Sequence, residues 1–194
     1  MFRQLTLAFA LFLFIATTAF AQKPDNSKDS FDVQSSVGDL HLGSDADAKK
    51  VGLPLYPGAR LKPDDDENSS RANLSLLTES FGFKLVVAKY ESDDAPDKVI
   101  AFYRDKLKKY GKVLECHSHK HGGGIELNDD DKDSSESKEK SKELKCDENS
   151  GPVTEFKIGT EDDQHIVAIE PRDTGKGATF ALVYVRTRGK HGEI

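Results

Sequence analysis

The chain has 194 residues, with 28 basic against 34 acidic side chains and a formal net charge of −6. That balance argues against nucleic acid or an anionic membrane as the main partner, since both call for a positive field. With no tryptophan, one methionine and 32% charged residues, the core has to be built from Leu, Val, Ile, Phe and Tyr, and the length suits one domain.

Phe2-Arg3-Gln4 is a short basic stretch, residues 5–20 are almost wholly apolar, and Ala19-Phe20-Ala21 has the small-x-small pattern of a cleavage site. This predicts a signal peptide at residues 1–21, cleaved after Ala21. Its apolar run of about 16 residues falls short of the ~20 that cross a bilayer. No second such run follows, so the processed chain is expected to lack a transmembrane segment and to be exported, periplasmic or secreted. Residues 22–36 are polar and aperiodic and read as a flexible leader. Residues 37–190 then read as a single domain, interrupted by a charged flexible loop at 122–150 and followed by a tail at 191–194.

Within the domain, residues 37–42 (VGDLHL) alternate like an edge strand. Ser44 with Asp45 and Asp47 reads as the N-cap of a short helix that stops at Gly52. Pro54, Pro57 and Gly58 impose a turn. Residues 73–78 and 83–90 (FKLVVAKY) read as strands, the second apolar on both faces. Residues 95–110 (APDKVIAFYRDKLKKY) form the clearest helix. Pro96 suits its first turn, and Val99, Ile100, Phe102, Tyr103, Leu107 and Tyr110 share one arc. Strands follow at 112–116, 154–158, 164–170 and 178–187. Without alternating helices, the order predicts an α+β fold: an antiparallel sheet of about five or six strands with one long amphipathic helix packed on one face.

Cys116 and Cys146 are the two cysteines, and an even pair in an exported chain reads as a disulfide. Beside the first lies HSHKH. In an extended chain, side chains at i and i+2 point the same way, so His117, His119 and His121 form a row of imidazoles suited to Zn²⁺ or Cu²⁺. The plainer reading is a polar loop rich in histidine. The acidic run at 129–133 fails as a calcium loop, because Ser134 and Lys140 stand where Gly and Glu are needed. Nucleophile and metalloprotease motifs are missing, so no enzyme is expected. His165 alternates with Val167 and Ile169 and reads as a half-buried strand histidine.

Two stretches carry a resemblance. Leu53-Pro54-Leu55-Tyr56-Pro57-Gly58-Ala59, and then Asp93-Asp94-Ala95-Pro96-Asp97-Lys98-Val99-Ile100 with Phe102-Tyr103, resemble uncharacterised exported bacterial proteins that share a PxYPGA turn and a DSPxKVxxFYxxxL helix start. The likeness spans residues 51–116, and Ala95 departs from the usual Ser. It implies an exported globular module and brings no site residues. The function expected from the whole is a non-enzymatic binding or envelope-associated module whose partner is an unidentified protein or small ligand. The alternative is a metal-binding or metal-buffering protein that uses the HSHKH row.

Overall fold

The computed structural model describes residues 30–64, 69–119 and 143–189. The expected signal peptide at residues 1–21 with its cleavage point, residues 22–29 of the expected leader, His121, most of the charged loop and the tail at 191–194 lie outside the described residues. Nine strands, β1 (Ser30–Ser35), β2 (Gly38–Gly43), β3 (Arg60–Leu61), β4 (Arg71–Thr78), β5 (Gly82–Ser92), β6 (Val113–Ser118), β7 (Val153–Thr160), β8 (Asp163–Pro171) and β9 (Ala178–Arg188), join in one sheet. The order is β1-β2-β4-β5-β9-β8-β7-β6, with β3 paired to β5, and every pairing is antiparallel.

The expected α+β architecture is therefore corrected to a large antiparallel sheet with little helix. The helical segment is α2 (Pro96–Lys106), 11 residues long, continued by a 3-10 turn of 4 residues at Leu107–Tyr110. Tightening to 3.0 residues per turn rotates the last side chains off the arc that a 3.6-residue period predicts. Tyr110 accordingly leaves the buried stripe and is 40% exposed, while Val99, Tyr103 and Leu107 are fully buried. A shorter helix, α1 (Ala48–Val51), precedes it. Its N-cap is Asp47 rather than Ser44, with the Asp47 carboxylate accepting from Lys50 N at 2.8 Å. Gly52 ends it in the left-handed conformation (φ 81°) that a Cβ disfavours.

The expected leader also ends early, because residues 30–35 pair with β2 over their whole length. All six side chains of β1 are exposed. The strand is held by ladder hydrogen bonds rather than burial, and its alternation amounts to two apolar residues, Phe31 and Val33, between polar ones.

Alternation along the register sorts the sheet into two faces. On the first lie Val86, Ala88 and Tyr90 of β5, Phe180 and Leu182 of β9, and Val167 and Ile169 of β8, all buried and packed with Val99 and Tyr103 of α2 and Val51 of α1. The segment between α1 and β3 straps this face. Tyr103 Oη donates to the Pro54 carbonyl at 3.1 Å, and the Tyr56 ring meets Phe102 edge-on at 5.1 Å. Ala48 N donates to the Tyr90 hydroxyl at 2.8 Å, so a core side chain satisfies an orphan amide of α1.

Replacing Tyr103 by Phe should cost about 1 kcal/mol, the worth of a buried hydrogen bond, and replacing it by Ala about 3–5 kcal/mol, because a cavity is added. Urea denaturation of both variants checks the ranking. Equal losses would mean that the ring contributes no packing of its own.

Candidate functional site

The second face carries the larger surprise. Following the register across strands, Phe31 pairs with Leu42, Leu42 with Leu74, Leu74 with Leu85 and Leu85 with Val185. A parallel row runs Val33–Leu40–Leu76–Phe83. No charged residue interrupts either row, and each of the two described helices packs on the opposite face. Exposure along the first row falls from 58% at Phe31 and 41% at Leu42 to 2% at Val185. The face is thus buried towards β9 and β8 and open towards β1.

At the buried end the cover includes the returning segment 143–150. Its Cys146 is disulfide-bonded to Cys116 of β6, as expected. Asp147 accepts from Lys157 Nζ at 2.9 Å, Lys157 in turn lies 3.9 Å from Glu155, and Ser118 Oγ donates to Glu155 at 2.8 Å. Glu155 and Lys157, charged residues of β7 on the second face, are buried and yet paired. The part of the charged loop that is described, 143–150, is exposed or half-buried and is tied down by the disulfide and by the bonds of Asp147, Glu148 and Asn149. The pairing partners sit far away in sequence, so composition alone does not reveal them.

At the open end, β2 stops at Gly43, opposite Asn73, whereas β4 runs two residues further, to Arg71. The step leaves a shallow groove of about 690 Å³, largely open to solvent, bordered by Phe31, Leu42, Leu74 and Leu85 and, at its edge, by Arg71 and Asn73. Arg71 and Asn73 alternate with Leu74 and pair with Ala88 and Val86, so their side chains lie on the first face, where Arg71 Nε and Asn73 Oδ1 are buried without a hydrogen-bond partner. The amide of Asn73 is otherwise engaged, Nδ2 donating to Asp45 at 2.9 Å.

Next to this corner, His41 Nδ1 stands 2.6 Å from Asp32, and Nε2 stands 3.5 Å from Asp45. The Asp32 hydrogen bond holds the imidazole above its ordinary pKa against the opposing effect of burial, and Asp45 adds to the rise. The Asp45 carboxyl is held well below the usual carboxylate range by Lys50, with Asn73 and His41 assisting. The group of His41, Asp32, Asp45, Lys50 and Asn73 ties β1, β2, α1 and β4 together but offers no nucleophile. Nothing in the sequence marked it, because its members come from separate elements of the chain.

The histidine row is only partly described. His117 is exposed on β6, its backbone amide donating to Asn149 Oδ1 at 3.2 Å. His119 follows the strand, and its amide donates to Glu148 Oε2 at 3.0 Å while its Nδ1 pairs with Glu148 Oε1. These contacts, the amide first, lower the Glu148 pKa. A carboxylate on Nδ1 orients the ring and leaves Nε2 outward, as in many metal-binding histidines. Among the described residues, no group of three His, Cys, Asp or Glu side chains is arranged to hold a metal ion. His165 lies on the first face, stacked on Tyr184 with centroids 4.8 Å apart, and burial pushes its pKa down.

The two stretches of the resemblance meet in space. Tyr56 Oη donates to Asp94 at 2.9 Å, and the Arg60 guanidinium forks onto Asp93 at 2.7 and 2.9 Å. Arg172 reaches Glu91 at 2.7 Å alongside. The turn and the helix start therefore brace each other, a structural explanation for both. No family model, curated protein or solved structure matches the chain.

Two outcomes follow from this geometry. Replacing both cysteines by serine should lower stability by up to about 3.7 kcal/mol for a loop of about 30 residues, read as a fall in the urea midpoint. An unchanged midpoint would mean that the segment 143–150 contributes nothing to the fold. In an NMR titration, His41 should titrate above 6.5 and His165 below it. The His41 contribution to stability is then present below pH 6.5 and lost as pH rises through its raised pKa. That of His165 is present above pH 6.5 and lost as pH falls through its lowered one. His41→Asn should abolish the alkaline arm alone.

Proposed function

We propose that the protein is an exported, non-enzymatic binding module that takes an apolar ligand or partner on the open end of the second face. A single observation carries the reading. Two uninterrupted apolar rows cross β1, β2, β4 and β5 with their outer members exposed, on the side of the sheet away from both described helices. Contiguous apolar surface of this kind marks interaction sites in soluble proteins. The disulfide is compatible with export, and no described helix is long and apolar enough to cross a membrane.

Nile red, a neutral apolar fluorophore, tests the face directly. Its fluorescence should rise on titration with the oxidised protein, and Leu74→Asp or Leu85→Asp should weaken binding at least tenfold while circular dichroism stays native. Equal binding by both variants removes the reading.

The Glu148 contact on His119 favours a second reading, Zn²⁺ or Cu²⁺ bound by His117, His119 and His121. Calorimetric titration with each ion, beside a variant with all three histidines replaced by Ala, decides it. Submicromolar one-to-one binding lost in the variant supports a metal handler. Heat unchanged in the variant leaves the row a polar loop edge.

A further inference from the structure

The two edges of the sheet are finished differently. At β6 the edge is covered: Cys146 is bonded to Cys116, His117 bridges to Asn149, and the His117 amide donates to Asn149 Oδ1 at 3.2 Å. At the other end, β1 has no strand on its outer side among the described residues. It pairs with β2 without a bulge from Ser30 to Ser35, all six of its side chains are exposed, and it contains neither proline nor lysine. Bulges, proline, lysine and a covering segment are the devices that keep a sheet edge from pairing with another chain. The one charged residue of β1, Asp32, is held by His41 Nδ1 at 2.6 Å on the first face. On the second face Phe31 is 58% exposed and Val33 39%.

We propose that β1 pairs antiparallel with β1 of a second copy about a two-fold axis through Val33, joining two sheets into one. Directly opposite residues of an antiparallel pair point to the same face, so each residue has to meet one of its own face. The registers that then overlap most are centred on Asp32 and on Val33. The first sets Asp32 against Asp32 of the copy, and like charges directly opposite are destabilising. The second sets Asp32 against Gln34, Phe31 against Ser35 and Val33 against Val33, with Phe31 diagonal to Val33 of the copy. The row Val33–Leu40–Leu76–Phe83 then runs unbroken into its counterpart across the axis. Such a contact uses the same patch on both copies and closes as a dimer. It lengthens the open second face rather than covering it, so the pairing and the ligand reading stand or fall separately.

The test is sedimentation equilibrium of the oxidised protein up to about 100 µM, the range of a small transient interface, beside single-cysteine variants oxidised by glutathione disulfide. The protein should dimerise. Val33→Lys, which sets two ammonium groups against each other, should raise the dimer dissociation constant at least tenfold while circular dichroism stays native. Opposite Cα atoms in an antiparallel pair are about 4.5–5.5 Å apart, within the span of a disulfide. The two Phe31 residues, in contrast, are four positions out of step, about 13 Å along the strand. Val33→Cys should therefore link into a covalent dimer at least tenfold faster than Phe31→Cys, although Phe31 is the more exposed of the two. A monomer over the whole concentration range overturns the pairing. So does equal or faster linking through Phe31→Cys, the mark of random collision, and faster linking through Asp32→Cys overturns the register. A dimer kept in Val33→Lys but lost in Leu85→Asp overturns the pairing in favour of two second faces stacked on each other.

Discussion

The central strands of this sheet are apolar on both sides, and the rest of the molecule is arranged around that fact. In β8, Ile166, Val167, Ala168 and Ile169 are all buried, as are Ala181, Leu182 and Val183 of β9. Alternation sends successive members of each run to opposite faces, so one cover cannot keep both from water. At about 25 cal/mol per Å² of apolar surface, leaving either face wet would forfeit much of the folding free energy. The first face has α2, α1 and the strap through Pro54 and Tyr56. The second is closed beside β6 and β7 by a segment that returns through the disulfide, and is left open at the β1–β4 end.

Where the second face is covered, buried charge is engaged: Lys157 with Asp147, and Glu155 with Ser118. The buried polar atoms without a partner among the described residues, Arg71 Nε, Asn73 Oδ1 and His165 Nδ1, all lie on the first face. By comparison, the network of Tyr56, Asp94, Arg60, Asp93, Glu91 and Arg172 is engaged throughout. It holds the start of α2 to the strap and to β5, and it gives the turn and the helix start a structural role without any ligand.

The turn between β8 and β9 shows how tightly the scaffold is drawn. Gly177 (φ 84°) stands where a Cβ would come within 2.3 Å of the Ser92 carbonyl, so the chain passes only as glycine. This close approach places Arg172, a few residues upstream, against Glu91 at the end of β5. The same economy appears in α1, where the core residue Tyr90 supplies the acceptor for the first amide.

Local pattern by itself determined most of the elements. Alternation and apolar runs located stretches matching seven of the nine described strands, although only five or six were expected in the sheet, Pro96 and the spacing of Val99 and Tyr103 located α2, Gly52 marked the end of α1, and two cysteines in a chain with an export-type start marked the disulfide. Each of these rests on neighbours within a few residues, which is the range over which propensity and periodicity act. Tertiary structure alone decided the rest. It made one continuous sheet out of strands whose partners sequence does not name, and it recruited β1 and β3 through ladder bonds, with only Phe31 and Val33 or Leu61 as apolar signal. It gathered His41, Asp32, Asp45 and Asn73 from separate segments, and it folded a charge-rich stretch back onto Lys157. Whether a residue such as Leu74 is core or surface depends on what lies over the sheet, a long-range property that no local pattern contains.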